Sequence, residues 1–470
     1  MLGGFWGRVG AVGAGKLAYA ASLLGAELAL ARLLSPKAFG TYKQVWEVFY
    51  RPLVPLATLG VPAALFYFYP RTPEQERGRL MVTAGGTLLA SGALVALSLF
   101  LLSPFFSSSL GNPYLQDLLR PFSLYIGAMI ASAFIEPFLL SSEKIKILLA
   151  LSLMHSFSLA CILIFPVDLG YGLGGAFRWL CLLSVGRMAF VWIYGIRGAA
   201  RGLRNRPVFG PLMRYALPLG LSTALGGLSI WVDKAVVSLF YPPAVAGVYM
   251  VGAREVPFVP IFLGSVSSVL SAELNRRHGE GPEAMVAIWG RAALKVGAAV
   301  FPLFLFLFAF AGKLLPWAFG DGFSGAVLPF RLYLGMLPLR AAAYGPLVAA
   351  LGRPNLVLVG VVGDLVGNAG LSLFLVPRVG PWGAAFATSL MTYLHVAFLL
   401  WAICRLSGLP LSRLLPWSGM ARTAGCGLLG LGASLPFLTL NFPFLSIATG
   451  AGAFGVVYLL ALKLWTGERM

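Results

Sequence analysis

The chain has 470 residues, of which 59% are hydrophobic and only 11% are charged. Soluble domains carry about 25% charged residues, so this composition excludes a water-soluble globular protein and indicates a polytopic membrane protein. The formal net charge of +19 would favour nucleic-acid binding in a soluble protein. Here the basic residues lie in short loops between apolar segments, as the rule for membrane orientation expects, so we predict no nucleic-acid partner.

Fourteen apolar stretches are long enough to cross a bilayer as a helix, which takes about 20 residues. The first follows Arg8 and is too long for the apolar part of a signal peptide, so we interpret it as a true membrane span. The sequence therefore predicts an all-α membrane fold with helices near 10–33, 44–69, 79–103, 117–141, 145–166, 173–197, 212–240, 245–272, 286–311, 326–350, 355–377, 382–404, 418–439 and 443–465.

Basic residues concentrate in alternate loops. One set of loops contains Arg71, Arg77, Arg79, Lys144, Lys146, Arg197, Arg201, Arg204, Arg206, Arg276, Arg277, Arg353, Arg405 and Arg413. The opposite set contains only Lys37, Lys43, Lys313 and Arg378. Because basic loops stay on the cytoplasmic side, both termini are predicted to be cytoplasmic, in the cytoplasmic membrane. The basic stretch 197–206 is interpreted as a linker that fixes topology, with binding of anionic lipid headgroups as the alternative.

The chain contains an internal duplication. The segment Pro36–Tyr42 (PKAFGTY) returns 207 positions later as Pro243–Tyr249 (PAVAGVY). Similar turns that open a helix follow Pro166 and Pro377. One repeat then holds six spans, and because six is even, both copies insert with the same polarity around an axis along the membrane normal.

The duplication predicts three regions. They are a six-helix lobe at 1–206, a second six-helix lobe at 207–410 and an additional helix pair at 411–470.

Eight ionisable residues lie inside predicted spans one, two, seven and eight: Lys16, Glu27, Glu47, Arg51, Asp233, Lys234, Arg254 and Glu255. A charge at the bilayer centre costs about 2.5–3.5 kcal/mol, so these side chains must face a watery cavity or one another. On the 207-residue offset, Glu27 corresponds to Lys234 and Glu47 corresponds to Arg254.

Two interpretations of these charges stay open. In the structural one, Glu27 pairs with Lys234 and Glu47 pairs with Arg254, which holds the two halves together on one side. In the functional one, the basic residues bind an anionic substrate in the cavity: Lys16, Arg51, Lys234 and Arg254. The acidic residues then act as gating or ion-pair partners: Glu27, Glu47, Asp233 and Glu255. Arginine suits phosphate because its planar guanidinium donates two parallel hydrogen bonds.

Asp364 and Asn368 lie one turn apart in predicted span eleven. They are candidate ligands for a coupling cation, and a polar contact between helices is the alternative. The four cysteines and three histidines lack the spacing of a metal site, so neither a metal nor another cofactor is expected. Transport is expected to be driven by H⁺, by Na⁺ or by the membrane potential.

Several segments resemble a known family. They are Arg32–Tyr42 (RLLSPKAFGTY), Leu59–Pro62 (LGVP), Tyr67–Arg71 (YFYPR) and, after Pro377, Gly383–Thr388 (GAAFAT). The resemblance is to polysaccharide-transporter flippases of the multidrug/oligosaccharidyl-lipid/polysaccharide (MOP) superfamily, and it spans nearly the whole chain.

The resemblance implies a V-shaped bundle of two six-helix lobes that works by alternating access. The implied substrate is an undecaprenyl-pyrophosphate-linked oligosaccharide, moved to the outer leaflet for O-antigen (lipopolysaccharide), exopolysaccharide or capsule synthesis. The family's cationic cavity would correspond to Lys16, Arg51 and Arg254. Implied partners are the polyprenyl-pyrophosphate-linked glycan, the lipid bilayer, a polysaccharide polymerase and glycosyltransferases.

Three other classes of membrane protein fit the sequence less well than a polysaccharide flippase. The last two predicted spans resemble the additional pair of the lipid II flippase branch, but span two lacks the Pro-Asn and arginine-rich motif expected there. A cation-coupled multidrug exporter would have an acidic, aromatic-lined cavity. A membrane glycan polymerase, ligase or glycosyltransferase would need a larger external loop, and no nucleotide-binding motif is present. We therefore predict a transporter and not an enzyme.

The orientation is testable by labelling single cysteines placed in a cysteine-free background. Residues near Arg201 and Arg276 should react only from the cytoplasmic side, and residues near Ser108 and Pro242 only from outside, because basic loops stay inside. The reverse labelling pattern would contradict the predicted topology.

Overall fold

The computed structural model describes residues 5–196 and 209–466, which form helices and turns with no strand among them. Nine of the described helices are long and apolar enough to cross a membrane, and a tenth is added when Phe209–Leu221 and Ala224–Phe240 count as one bent span. The predicted all-α membrane fold is therefore confirmed. Each of the fourteen predicted ranges overlaps a helix. That all fourteen cross the membrane stays a prediction. The predicted basic linker 197–206 lies outside the described residues.

The chain forms two compact units, Met1–Gly247 and Val248–Met470. The first unit contains α1 (Phe5–Leu33), α2 (Pro36–Lys43), a π-helical segment (Gln44–Tyr50), α3 (Arg51–Ala57), α4 (Val61–Arg71), α5 (Glu74–Ser109), α6 (Pro113–Ala131), α7 (Ile135–Ser141), α8 (Ile145–Asp168), α9 (Gly172–Ile196), α10 (Phe209–Phe240) and the first half of α11 (Pro243–Gly252). The predicted division at 206, 410 and 470 stays a prediction.

The second unit continues from α11. Its helices are α12 (Val259–Arg276), α13 (Pro282–Phe319), α14 (Val327–Gly335), α15 (Tyr344–Ala350), α16 (Pro354–Val379), α17 (Trp382–Ser407), α18 (Leu411–Leu414), α19 (Trp417–Ser434) and α20 (Pro443–Thr466), with 3-10 turns at His278–Glu280, Asp321–Ala326, Leu337–Ala341 and Leu435–Thr439. The last pair, α19 and α20, pack on each other and on α13.

Predicted span two is a series of short helices and not one straight rod. Ser35 caps α2 by accepting a hydrogen bond from the Ala38 N–H at 3.3 Å, and Pro36 occupies the first turn, where no N–H is needed. The chain then widens into the π-helical segment, and it turns at Leu59 and Gly60, which both have positive φ. Such interruptions are tolerated inside membranes where neighbouring helices cover the backbone.

Glycines bring α10 and α11 close to the short helices of span two. A Cβ on Gly247 would lie 2.6 Å from the Cα of Gly40, and a Cβ on Gly40 would overlap the Pro243 carbonyl. A Cβ on Gly60 or Gly220 would likewise enter the backbone of the other segment. The glycines of the two duplicated motifs therefore contact each other, as small residues do where membrane helices approach closely.

Substitution of Gly40 tests this contact. Gly40→Ala should lower the thermal stability of the detergent-purified protein, because overpacking against backbone costs about 1–3 kcal/mol. The measurement is the midpoint of unfolding by intrinsic fluorescence.

Gly86→Ala in α5 is the matched control, since a Cβ there would meet no atom within 4 Å. An unchanged midpoint for Gly40→Ala, equal to that of the control, would contradict the close approach.

Candidate functional site

Six ionisable residues in and beside α1, α2, the π-helical segment and α10 form ion pairs within the first unit. We call Glu27, Lys43, Glu47, Arg51, Asp233 and Lys234 the acid–base cluster. Lys43 Nζ lies 2.9 Å from Glu27 Oε1 and 3.0 Å from Glu47 Oε1. Arg51 Nε lies 3.2 Å from Glu47 Oε2, and Lys234 Nζ lies 3.2 Å from Asp233 Oδ1. Each of the three cations therefore contacts a carboxylate.

The acid–base cluster is buried and formally neutral, since it contains three acidic and three basic residues. The side chains of Lys43, Glu27 and Lys234 are only 3%, 5% and 2% exposed. Removing one partner of such a buried pair leaves an uncompensated charge and destabilises a protein by about 3–5 kcal/mol. A neutral composition lowers the cost of burying these side chains inside membrane-spanning helices.

The sequence predicted that Lys43 lies in a loop, on the side opposite the basic loops, and this prediction is wrong. In the structure it is the last residue of α2, buried, and shared by Glu27 and Glu47. Hydropathy missed this role because α2 contains polar residues and begins at Pro36, eight positions before the predicted span. The pairs expected from the duplication, Glu27 with Lys234 and Glu47 with Arg254, stay predictions.

Arg51 is the exposed cation of this cluster. Its side chain is 34% exposed, and its guanidinium lies 5.1 Å from the ring centroid of Trp231 in α10. A guanidinium donates up to five hydrogen bonds, so Arg51 can contact an anion while it keeps Glu47. Of the predicted anion-binding residues in the first unit, Arg51 therefore has the geometry best suited to the role.

The other two predicted cations of the first unit differ in accessibility. Lys234 is buried, contacts Asp233 and donates to the Ile230 carbonyl at 2.8 Å. Lys16 is 58% exposed and lies 3.9 Å from Glu136, which is 47% exposed. Exposed pairs of this kind contribute little to stability, so Lys16 is free to exchange Glu136 for another anion.

The second unit places Arg254 and Glu255 at a helix break. Predicted span eight is interrupted between α11 and α12, where Phe258 adopts a positive φ of 70° next to Pro257. Glu255 forms an ion pair with Arg340, a residue of the Leu337–Ala341 turn. Irregular backbone at membrane depth lies where it is covered by protein or lines a cavity, and interrupted helices are frequent at transport sites.

Arg340 borders two cavities of the second unit. One contains Arg254 and Glu255 in its lining. The other has a volume of about 290 Å³ and is lined mostly by small or apolar side chains such as Leu263 and Ala293. Sequence reasoning left Arg340 unassigned because no duplicated partner or neighbouring charge singles it out.

Asn368 lies in a contact between helices. Its Oδ1 accepts hydrogen bonds from Ser372 at 3.0 Å and from Thr388 of α17 at 3.2 Å. This arrangement matches the packing alternative, and it also gathers oxygen atoms near Asp364, one turn away on α16. The role of Asp364 and Asn368 in binding a coupling ion stays a prediction.

The sequence matches one family model, described as polysaccharide biosynthesis protein, over residues 26–271, which is more than half of the chain. The chain belongs to this family. Among curated proteins, no sequence matches this chain.

Solved structures show the same fold. Lipid II flippase MurJ, in an inward closed conformation, aligns with a TM-score of 0.72 and 14% identity over 95% of this chain and 97% of that one. A multidrug resistance MATE family transporter of the MOP superfamily, in an inward-facing conformation, aligns with a TM-score of 0.68 and 15% identity over 83% of this chain and 95% of that one. A MOP superfamily transporter from Pyrococcus furiosus aligns with a TM-score of 0.57 and 16% identity over 84% of this chain and 93% of that one. This polysaccharide biosynthesis family protein therefore has the MOP transporter fold.

Replacing Lys43 tests the charge balance of the acid–base cluster. Lys43→Met should destabilise the protein by about 3–5 kcal/mol, because Glu27 and Glu47 then share a buried site without their common cation. The yield of folded protein after detergent extraction and its unfolding midpoint measure the effect.

Two variants complete this test. Lys37→Met removes a cation from the exposed part of the same helix and should leave the midpoint unchanged. Adding Glu27→Gln to Lys43→Met should recover part of the loss, since one buried negative charge disappears. A double variant no more stable than Lys43→Met alone would mean that the pairing contributes little.

Proposed function

We propose that this protein is a flippase that moves an undecaprenyl-pyrophosphate-linked oligosaccharide across the cytoplasmic membrane for the synthesis of O-antigen, exopolysaccharide or capsule. The observation that carries the proposal is the family match over residues 26–271. The matched region contains the whole acid–base cluster together with Arg254 and Glu255. These eight charged residues thus belong to the part of the chain that matches the family.

The chemistry of such a substrate fits cations that keep exchangeable partners. A diphosphate and a sugar chain need a polar path, while a polyprenyl tail can remain in the lipid. Arg51 is partly exposed and shares Glu47 with Lys43, so an incoming phosphate can take Arg51 without leaving Glu47 unpaired. Arg340 and Glu255 form a second exchangeable pair, beside Arg254.

Alternating access would use these exchanges. Binding of the diphosphate replaces a carboxylate partner of an arginine, and release of the diphosphate restores it, so each change of partner can accompany a change of conformation. We propose that H⁺, Na⁺ or the membrane potential drives the cycle, with Asp364 and Asn368 as the candidate ion site. Glycosyltransferases would supply the lipid-linked glycan, and a polysaccharide polymerase would consume it.

Flipping of lipid II is the second candidate function. The fold of the lipid II flippase covers 95% of this chain, whereas that of the MATE transporter covers 83%. The two candidates are separated by complementation, because a lipid II flippase restores growth to cells depleted of that activity, and a surface-glycan flippase does not.

Replacing Arg51 and Arg254 tests the main proposal. In cells that depend on this protein for a surface glycan, Arg51→Ala and Arg254→Ala should each abolish export, because the diphosphate loses a charge-assisted contact inside the membrane. Surface glycan is measured by gel electrophoresis, and the protein is quantified in the membrane fraction.

Arg276→Ala is the matched control, since Arg276 lies at the end of α12 with its side chain 73% exposed. The control should export normally. Normal export by both Arg51→Ala and Arg254→Ala would remove the proposed role in anion binding, and normal surface glycan after deletion of the gene would remove the proposed function.

A further inference from the structure

A second group of polar side chains lies inside the first unit, apart from the carboxylates of the acid–base cluster. It contains Arg187 of α9, His155 of α8, Tyr125 of α6, Tyr19 of α1 and Tyr50 of the π-helical segment. We call it the Arg187 site. These elements pack directly on one another, α1 on α8, α6 on α9 and α8 on α9. Neither the duplication nor the family resemblance identifies any of these five residues. Tyr50 directly precedes Arg51 in the chain.

Arg187 has no carboxylate partner among the described residues. Its guanidinium lies against α6, one turn after Tyr125, because its contact there is Met129. Its hydrogen bond from Nη1 goes to the Met129 Sδ at 3.3 Å, which is a weak acceptor. In this respect Arg187 differs from Lys43, Arg51 and Lys234, which all contact carboxylates.

Two further polar atoms of the site, Nδ1 and Nε2 of His155, lack a hydrogen-bond partner among the described residues. The hydroxyl of Tyr125 interacts only with that of Tyr50 among those residues. Both side chains are buried, with His155 stacked on Tyr19 at 6.0 Å between ring centroids. The large majority of buried side-chain polar atoms in folded proteins are hydrogen-bonded, so a buried imidazole with neither nitrogen bonded indicates a site that a ligand completes.

The chemistry of these groups fits an oxyanion. Arginine and the tyrosine hydroxyl donate hydrogen bonds, and imidazole donates from its protonated nitrogen. Aromatic rings pack against Tyr125, since Trp46 lies 6.0 Å and Phe122 5.1 Å from it between ring centroids. Apolar surroundings of this kind strengthen the attraction between a charged donor and an anion.

We infer that Arg187, Tyr125 and His155 form an oxyanion-binding subsite in the first unit, which takes a phosphate or carboxylate of the transported headgroup. The identity of the ligand as a headgroup rests on the proposed function, whereas binding of an oxyanion does not. The phosphate would come from the diphosphate of the lipid carrier, and the carboxylate from an acidic sugar of the glycan.

The test is calorimetric titration of the full-length protein in nanodiscs of neutral lipid. One arm uses inorganic pyrophosphate as the probe, and the other uses glucuronate. The wild-type protein should bind at least one of them. Arg187→Gln should weaken that binding at least about tenfold, which corresponds to about 1.4 kcal/mol. Pyrophosphate alone points to the carrier diphosphate as the source, and glucuronate alone points to the sugar.

Arg178→Gln is the matched control, because Arg178 lies on the same helix with its side chain exposed. It should bind as the wild type does. Tyr125→Phe removes only the hydroxyl and should weaken binding about three- to tenfold, which gives a second variant if Arg187→Gln does not fold.

Wild-type affinity in Arg187→Gln or Tyr125→Phe, or no binding of either probe by the wild type, would overturn the subsite. Failure of the subsite can be distinguished from failure of the proposed function. If Arg187 is required for pyrophosphate binding while deletion of the gene leaves the surface glycan intact, the subsite stands and the flippase assignment fails.

Discussion

Charge neutrality inside the membrane is the constraint on which the first unit depends. Glu27 and Glu47 lie on different helical segments, and a single ammonium group, that of Lys43, joins them at 2.9 and 3.0 Å. Neither carboxylate could remain ionised in this buried position without a cation, because transfer of an isolated charge from water is far more costly than any packing contact is favourable. Arg51, which shares Glu47 with Lys43, remains partly exposed.

Glycine contacts make this arrangement possible. Gly40 lies three residues before Lys43 and contacts Gly247, while Gly60 contacts Gly220 of α10. Backbones that approach this closely bring α10 beside the π-helical segment, and with it Lys234, whose charge acts on Glu47. The duplicated motif therefore has a physical role in both copies, since each supplies the small residue that lets the other approach.

Five cations of the described helices and turns fall into two kinds. Lys43 and Lys234 are buried against carboxylates. Arg51 and Arg340 have carboxylate partners and remain partly exposed, and Arg187 has no carboxylate partner among the described residues. A protein that carries an anionic headgroup needs cations of the second kind, because a charge that is already satisfied and enclosed cannot bind and release a substrate. All three cations of the second kind are arginines, whose planar guanidinium suits phosphate and carboxylate.

The sequence by itself determined the all-α membrane fold, the approximate helix ranges and the family, because hydropathy and short motifs are local properties of the chain. It also singled out Glu27, Glu47 and Arg51, since a charge in an apolar stretch is visible without coordinates. Only the tertiary structure decided that Lys43 is buried and which groups surround Arg187. Those facts depend on which helices meet, and spacing along one helix carries no information about a side chain contributed by another.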